Sequence, residues 1–171
     1  MASDRTTPPA AKLKSVGRIY SRAELVEQRA RWRREGKTVV FTNGCYDLLH
    51  PGHIRLLEQC RSMGDALILA LNSDASVRRM KGLSRPVLDE AERAEVALAL
   101  EAVDAVALFE EDTPRELIAA VLPDVLVKGA DWSHFIAGRE EVEAAGGRVI
   151  AAPLEPGHST TNVIEKILNQ P

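Results

Sequence analysis

The chain has 171 residues and a formal net charge of −3, and 45% of its residues are hydrophobic. This length predicts one domain with a sizeable core, and the charge excludes binding to nucleic acid through overall electrostatics. No apolar run is long enough to cross a membrane, and the N-terminus lacks a signal-peptide core. The two cysteines, Cys45 and Cys60, form no disulfide framework or zinc site and fit a reducing cytoplasm.

The first elements in chain order are a tail and a helix. Residues 1–17 are polar and aperiodic, which predicts a flexible N-terminal tail followed by a single domain over residues 18–171. Ser21 has Glu24 three residues on, which is the capping-box pattern, and Gly36 stops the helix that follows. The arginines of this helix are interpreted as a solvated face, with an anion-binding patch as the alternative.

The rest of the chain alternates between short apolar runs and helical stretches. The predicted strands are residues 37–43, 65–74, 103–109, 124–129 and 148–154, and the predicted helices are residues 51–64, 89–100, 113–123, 138–147 and 159–169. The strands are almost continuously apolar, which is typical of a parallel sheet covered on both faces. The pattern predicts an α/β fold: a Rossmann-like, doubly wound, five-stranded parallel sheet with helices on both faces.

In such folds, ligands bind outside the carboxyl ends of the strands. Glycines and polar residues follow four of the five predicted strands, in the stretches TNGCYD, NSD, KGADW and PGHST. A structural protein has no need to collect such residues on one edge of its sheet. This placement favours a ligand site there, although loops are polar in any case.

The stretch VVFTNGCYDLLHPGH, from Val39 to His53, carries the strongest local signal. Gly44 permits a backbone turn that a side chain would block. Gly52 lies in the first turn of a helix and lets an anion approach its free amides. His50 and His53 are three residues apart and can point to one side. A polyphosphate site is the preferred interpretation; a zinc pair without a third ligand and a capping or core histidine are the alternatives.

These residues resemble a known family. GCYDLLHPGH resembles the signature G-x-[FY]-D-x-x-H-x-G-H of the cytidylyltransferase-like nucleotidyltransferases, with Tyr46 where Phe is commoner. The stretches LNSDASVRRMKGLSRPV, LPDVLVKGADW and GHSTTNVIEKI resemble the D-glycero-β-D-manno-heptose 1-phosphate adenylyltransferases, in a form without a fused sugar kinase. One departure is Ala130, where a second glycine is usual. The resemblance implies transfer of AMP from ATP to a sugar 1-phosphate, with release of pyrophosphate, for lipopolysaccharide synthesis.

The resemblance and the strand-end positions together give three sets of candidate residues. The predicted catalytic residues are His50, His53 and Lys81. The predicted nucleotide-binding residues are Thr42, Asn43, Gly44, Cys45, Gly52, Lys128, Asp131, Ser159, Thr160 and Thr161. The predicted substrate-binding residues are Asp47, Asn72, Asp74 and Arg85.

Several candidates also have a purely structural interpretation. Asp47 could cap a turn, and Asn72 to Asp74 could only start a short helix. Lys128 could extend to water, and Ser159 could be a helix cap that also binds phosphate. Cys45 is rejected as a nucleophile, because in-line phosphoryl transfer needs no covalent step.

For five further residues the sequence favours a structural role or assigns no role. An exposed ion pair is the default expectation for Glu92 and Arg93, with an inward-reaching Arg93 as the alternative. Trp132 is interpreted as packing, and His134 and His158 have no strong case, although His158 could border the nucleotide.

The implied partners are ATP and a sugar phosphate, and no nucleic acid or membrane. Mg²⁺ is expected to arrive with ATP and not on protein ligands, and a homodimer is expected because dimers are common in the resembled group. Two alternatives remain open at this point. One is another member of the superfamily, such as a glycerol-3-phosphate cytidylyltransferase. The other is a non-catalytic nucleotide-binding module.

Overall fold

The computed structural model of the protein describes residues 18–129, 135–153 and 157–170. The strands are β1 (Arg18–Tyr20), β2 (Val39–Gly44), β3 (Ala66–Asn72), β4 (Ala105–Phe109), β5 (Val125–Gly129) and β6 (Arg148–Ala152). The helices are α1 (Arg22–Arg34), α2 (Pro51–Arg61), α3 (Asp74–Lys81), α4 (Glu90–Leu98), α5 (Arg115–Val121), α6 (Arg139–Ala144) and α7 (Thr160–Leu168). None of these helices combines the length and apolar character that a bilayer crossing needs.

The sheet order confirms the doubly wound α/β fold. The strands lie in the order β1-β4-β3-β2-β5-β6, and every pairing is parallel. After β2 the chain builds outward through β3 and β4, and it then returns to place β5 on the other side of β2. The strand order therefore reverses between β2 and β5, which is where such folds bind ligands.

The sheet has six strands rather than the predicted five. The additional strand, β1, is three residues long and pairs with β4 at the edge of the sheet. Its side chains are exposed or only half-buried, so it lacks the apolar run by which the other strands were recognised. Residues 1–17 lie outside the described residues, and the flexible tail and the single-domain boundary stay predictions.

Two apolar layers hold the sheet between the helices. On one face, side chains such as Phe41 and Ile68 pack with Leu25 of α1 and Ile118 of α5. On the other, residues such as Val40 and Leu69 pack with helices α2 and α4. The central strand β3 is completely buried, as its unbroken apolar sequence predicted. A sheet covered in this way leaves its carboxyl edge as the natural place for a ligand.

The helix starts agree with the sequence signals. Ser21 and Glu24 form the predicted capping box, and Gly36 follows α1 with a φ of +70°. Ser73 caps α3 by accepting a hydrogen bond from the Ser76 amide, so the structural reading of the NSD stretch is correct for its serine. These caps fix the ends of the helices next to the carboxyl edge of the sheet.

Candidate active site

Polar side chains from several strand ends meet beside the β2–β5 switch point. A cleft of about 190 Å³ opens there. Among its lining residues are the predicted site residues Asn43, Gly44, Cys45, Asn72, Lys81 and Lys128. The structure thus brings together residues from β2, β3, α3 and β5 that are far apart in the sequence.

Two lysines supply positive charge to this cleft. Lys128 Nζ donates a hydrogen bond to the carbonyl oxygen of Asn43 at 3.2 Å, which directs the side chain along the carboxyl edge of the sheet. Lys81 is the last residue of α3 and is exposed at the wall of the cleft. Both positions suit contact with an anionic substrate, and Lys128 is oriented by the carbonyl that it binds.

The start of α2 lacks a side-chain cap. His50 occupies the N-cap position with no side-chain hydrogen bond to the first turn, and Pro51 has no N–H to offer. The His53 amide already donates to the carbonyl of His50 at 2.9 Å. These facts leave the amide of Gly52 as the first-turn donor for an anion, supported by the positive end of the helix dipole.

The two motif histidines form a stack at this helix start. Their ring centroids are 3.8 Å apart with an interplanar angle of 20°, and the Tyr46 ring lies 4.7 Å from that of His53. The Nδ1 atoms of His50 and His53 are buried and have no hydrogen-bond partner in the part of the chain that the structure describes. Buried polar atoms usually have a hydrogen-bond partner, so these two nitrogen atoms are candidates to bind a ligand or a water molecule.

Both imidazoles favour the neutral form. Burial, then the neighbouring His50 and Lys81, lower the pKa of His53 to about 4, against a smaller opposing effect of Asp47. Burial, then His158, lower the pKa of His50. Near neutral pH the site therefore presents uncharged N–H donors, and a bound polyanion would favour their protonation.

The low pKa of His53 predicts that acid destabilises the fold. In the unfolded chain His53 titrates near 6.5, whereas the folded chain takes up this proton only near pH 4. Between these values the unfolded state binds more protons, so the free energy of unfolding falls as the pH drops through this window. Proton NMR should show a His53 titration midpoint near 4, and a midpoint near 6.5 would contradict the geometry. Urea unfolding should show a shallower acid slope for His53→Asn.

Gly44 is needed for space rather than for a special backbone angle. A Cβ at this position would lie 2.9 Å from Cε2 of the Tyr46 ring. The positive φ of this turn belongs to Tyr46, at 47°, and not to Gly44. Glycine thus allows the Tyr46 ring to fold back toward His53, in agreement with the expectation that a side chain at this position would block the turn.

Thr42 does not line the cleft. Its side chain is only 1% exposed, and strand alternation places it on the same face of β2 as Val40, which packs under α2. The structure therefore gives Thr42 a place in the core instead of the predicted nucleotide contact. Cys45, by contrast, is half-buried at the cleft, with its Sγ 3.9 Å from Oδ1 of Asn72.

Asp47 holds a loop instead of facing a substrate. Its side chain is fully buried and accepts hydrogen bonds from Arg85 Nε at 2.6 Å and from the amides of Val87 and Leu88. Burial raises the pKa of Asp47, but the two amides and Arg85 outweigh it and hold this pKa below its ordinary value. The carboxylate and Arg85 thus pair with each other, and we assign Asp47 a positioning role.

For Arg93 the default expectation of an exposed ion pair is wrong, and the inward-reaching alternative is correct. It is fully buried rather than part of an exposed pair, and its guanidinium donates to the carbonyls of Cys45, Asn72 and Leu88. It also binds Asp74 Oδ1 at 2.8 Å, so Asp74 supports this network rather than facing the cleft. Glu92, next to it, completes the capping box of Asp89.

The final motif of the sequence begins α7. Ser159 caps this helix by accepting from the Asn162 amide at 3.0 Å, and Thr160 and Thr161 form its first turn. A Cβ on Gly52 would lie 3.1 Å from Cβ of His158, so the starts of α2 and α7 are in contact. Asp131, Trp132 and His134 lie outside the described residues, and the expectations for them stay predictions.

Comparison with known proteins identifies the family. The model of the cytidylyltransferase-like family matches residues 41–166, which include the histidine stack, the cleft and the start of α7. The chain belongs to the cytidylyltransferase-like family. It is therefore a nucleotidyltransferase, as the HPGH stretch predicted.

Individual relatives agree with this assignment. The chain is 52% identical over 165 residues to the bifunctional protein HldE of Acidiphilium cryptum, covering 96% of this chain and 33% of that protein. It is 55% identical over 150 residues to the bifunctional protein HldE of Koribacter versatilis, covering 87% of this chain and 31% of that protein. The chain thus spans about a third of the length of these relatives.

Solved structures support the fold of this family member. A lipopolysaccharide core biosynthesis protein from Thermoplasma volcanium matches with a TM-score of 0.58 and 28% identity, covering 70% of this chain and 98% of that one. A pantoate-beta-alanine ligase from Francisella tularensis matches with a TM-score of 0.59 and 14% identity, covering 91% of this chain and 80% of that one. The second likeness concerns the fold alone.

Proposed function

We propose that this nucleotidyltransferase transfers AMP from ATP to D-glycero-β-D-manno-heptose 1-phosphate, giving ADP-heptose and pyrophosphate for lipopolysaccharide core synthesis. The stretches around Lys81, Lys128 and Ser159 that resemble heptose 1-phosphate adenylyltransferases support this choice of substrates. The match to the HldE proteins and to a lipopolysaccharide core biosynthesis protein points the same way.

One observation carries the proposal. Two stacked imidazoles with buried, unpartnered Nδ1 atoms lie at an uncapped helix start, and the Tyr46 ring connects His53 to Gly44, which lines the cleft with its two lysines. Amide, imidazole and ammonium donors in this arrangement match the several oxygens of a triphosphate. A core or capping role for the histidines leaves those atoms without partners.

The chemistry needs charge neutralisation more than it needs a base. The acceptor phosphate is largely ionised near neutral pH, with a second pKa of about 6, and can attack the α-phosphorus directly. The two polyanions must be held together, and charge must be stabilised on the departing pyrophosphate. His50, His53 and Lys81 provide donors at this point. Mg²⁺, bound to the triphosphate oxygens, would neutralise further charge.

The remaining candidates divide between the two substrates in this proposal. Asn43, Gly44, Cys45, Gly52 and Lys128 would contact the nucleotide, as would the first turn of α7 with Ser159, Thr160 and Thr161. Asn72 lines the cleft and would contact the acceptor sugar phosphate. Arg85 would act chiefly through its pair with Asp47.

A substrate panel tests the proposal. The purified chain would be given ATP or CTP with heptose 1-phosphate or glycerol 3-phosphate, with pyrophosphate release as the readout. We expect turnover with ATP and heptose 1-phosphate. Turnover only with CTP and glycerol 3-phosphate would contradict the substrate assignment. Tight ATP binding without turnover on any acceptor would instead indicate a binding module.

We also propose that the chain acts as a homodimer in the cytoplasm. Helix α7 supports a partner surface, because Ile167 and Leu168 are 61% and 76% exposed on a helix with no buried residue. The free thiols of Cys45 and Cys60 agree with a reducing compartment. Analytical ultracentrifugation should give a mass near twice that of the chain, and a monomer at micromolar concentration would contradict the dimer.

A further inference from the structure

A third histidine ring lies nearly parallel to the ring of His50. The His158 ring is 6.3 Å from the His50 ring, centroid to centroid, with an interplanar angle of only 16°. The His53, His50 and His158 rings therefore form one nearly parallel series. The series joins two chain segments that are about a hundred residues apart in the sequence.

The contact between these segments depends on a glycine. A Cβ at Gly52 would lie 3.1 Å from His158 Cβ and 3.1 Å from His50 Nδ1. Glycine thus lets the residue before the α7 cap approach the first turn of α2. Two helix starts with their amide groups meet at this point, and His158 lies between them.

The histidine series has a direction relative to the cleft. His53 is the inner member, because its ring packs on that of Tyr46, which lies against Gly44 in the lining of the cleft. His50 follows, and His158 is the exposed outer member. In the proposed reaction the α-phosphorus must face the acceptor in the cleft, so the leaving pyrophosphate must extend away from it, along this series.

We infer that His158 is a third phosphate-binding imidazole of this site and contacts the β- or γ-phosphate of the bound triphosphate. This inference rests on the proposed function. The buried, unpartnered Nδ1 atoms of His50 and His53 are an independent sign that a ligand completes the series. No bond is made to the protein: His158 donates a hydrogen bond to a phosphate oxygen before, during and after transfer.

A metal site is a poor alternative for the three histidines. Ligands of one metal ion converge on a point, whereas these rings stack nearly parallel. In the described residues, no group of three or more histidine, cysteine or acidic side chains is placed to hold a metal ion. Anion binding along the stack is the chemistry that fits.

Steady-state kinetics of His158→Ala test the inference. A charge-assisted hydrogen bond present in both ground state and transition state should raise KM for ATP by about 10- to 100-fold while leaving kcat nearly unchanged. KM for the acceptor should not change. The matched control is Lys166→Ala, which removes a positive charge from the last turn of the same helix and should leave both constants unchanged. An unaltered KM for ATP in His158→Ala would overturn the inference.

Histidine NMR signals provide a second readout that separates the two proposals. Pyrophosphate and a non-hydrolysable ATP analogue with Mg²⁺ should move the ring signals of His158, whereas AMP should not. If the analogue moves the His50 and His53 signals but not those of His158, the inference fails and the proposed function stands. If the analogue moves none of the three, the proposed function fails as well.

Discussion

Replacing His53 by alanine is expected to lower kcat by about 10²- to 10³-fold, the usual cost of removing one preorganised donor from a developing negative charge. His53 is the inner member of the histidine series, with a buried Nδ1 that has no partner in the described residues. Its neutral imidazole can donate a hydrogen bond to the triphosphate, and this bond strengthens as negative charge moves to the departing pyrophosphate. The measurement is the initial rate of pyrophosphate release at saturating ATP and acceptor.

The control for this variant is a neighbour on the same helix. Gln59→Ala lies on α2, away from the cleft, and should retain normal turnover. Thermal unfolding of both variants shows whether the fold is intact. A His53→Ala protein that melts like the wild type and turns over at nearly the same rate would contradict the role of His53 in catalysis.

Replacing Arg93 by alanine is expected to reduce the free energy of unfolding by about 3–5 kcal/mol, as for breaking a buried ion pair. The variant leaves Asp74 without this partner and removes the donor to three backbone carbonyls, those of Cys45, Asn72 and Leu88. Cys45 and Asn72 lie at the ends of β2 and β3 and line the cleft, so activity should fall together with stability. Urea unfolding provides the measurement.

Two further variants make the Arg93 prediction specific. Arg139→Ala removes an exposed arginine that pairs with Glu143 one turn away. It should lower the free energy of unfolding by less than about 0.5 kcal/mol. Arg93→Lys retains the charge but lacks the planar guanidinium that reaches several acceptors. Its loss in the free energy of unfolding should therefore lie between those of Arg139→Ala and Arg93→Ala. A loss below about 1 kcal/mol for Arg93→Ala would contradict its role as the central donor.

The central strands and the histidine motif were predictable because their signals are local. The run from Ala66 to Asn72 is buried over its whole length, and its composition alone indicates a central parallel strand. The Pro–Gly pair at the start of α2 likewise predicts a helix start whose first turn is open to a ligand. Strand β1 was not predicted, because a three-residue edge strand with exposed side chains has no apolar run that would indicate it.

The errors within the site have a common physical cause. Whether Arg93 is buried depends on how residues 45, 72 and 88 come together, and the sequence around Arg93 does not encode this convergence. The Asp47–Arg85 pair joins residues 38 positions apart. For Thr42, strand alternation is a local signal, because it places Thr42 on the same buried face of β2 as Val40.

The role of His158 could not be predicted from the sequence either. Alone in a loop, a histidine offers no reason to assign it a role. It gains one only because Gly52 allows the starts of α2 and α7 to touch, which places its ring parallel to that of His50. The shape of the site is therefore a property of the tertiary fold, while the chemistry of its motif is visible in the sequence.

The most direct test of the whole account is a crystal structure with Mg²⁺ and a non-hydrolysable ATP analogue. We expect the triphosphate to lie against the first turn of α2, with phosphate oxygens within hydrogen-bonding distance of His50 and His53 and the α-phosphate facing the cleft that Lys81 lines. A nucleotide bound at another surface, with both imidazoles still shielded from it, would contradict the account.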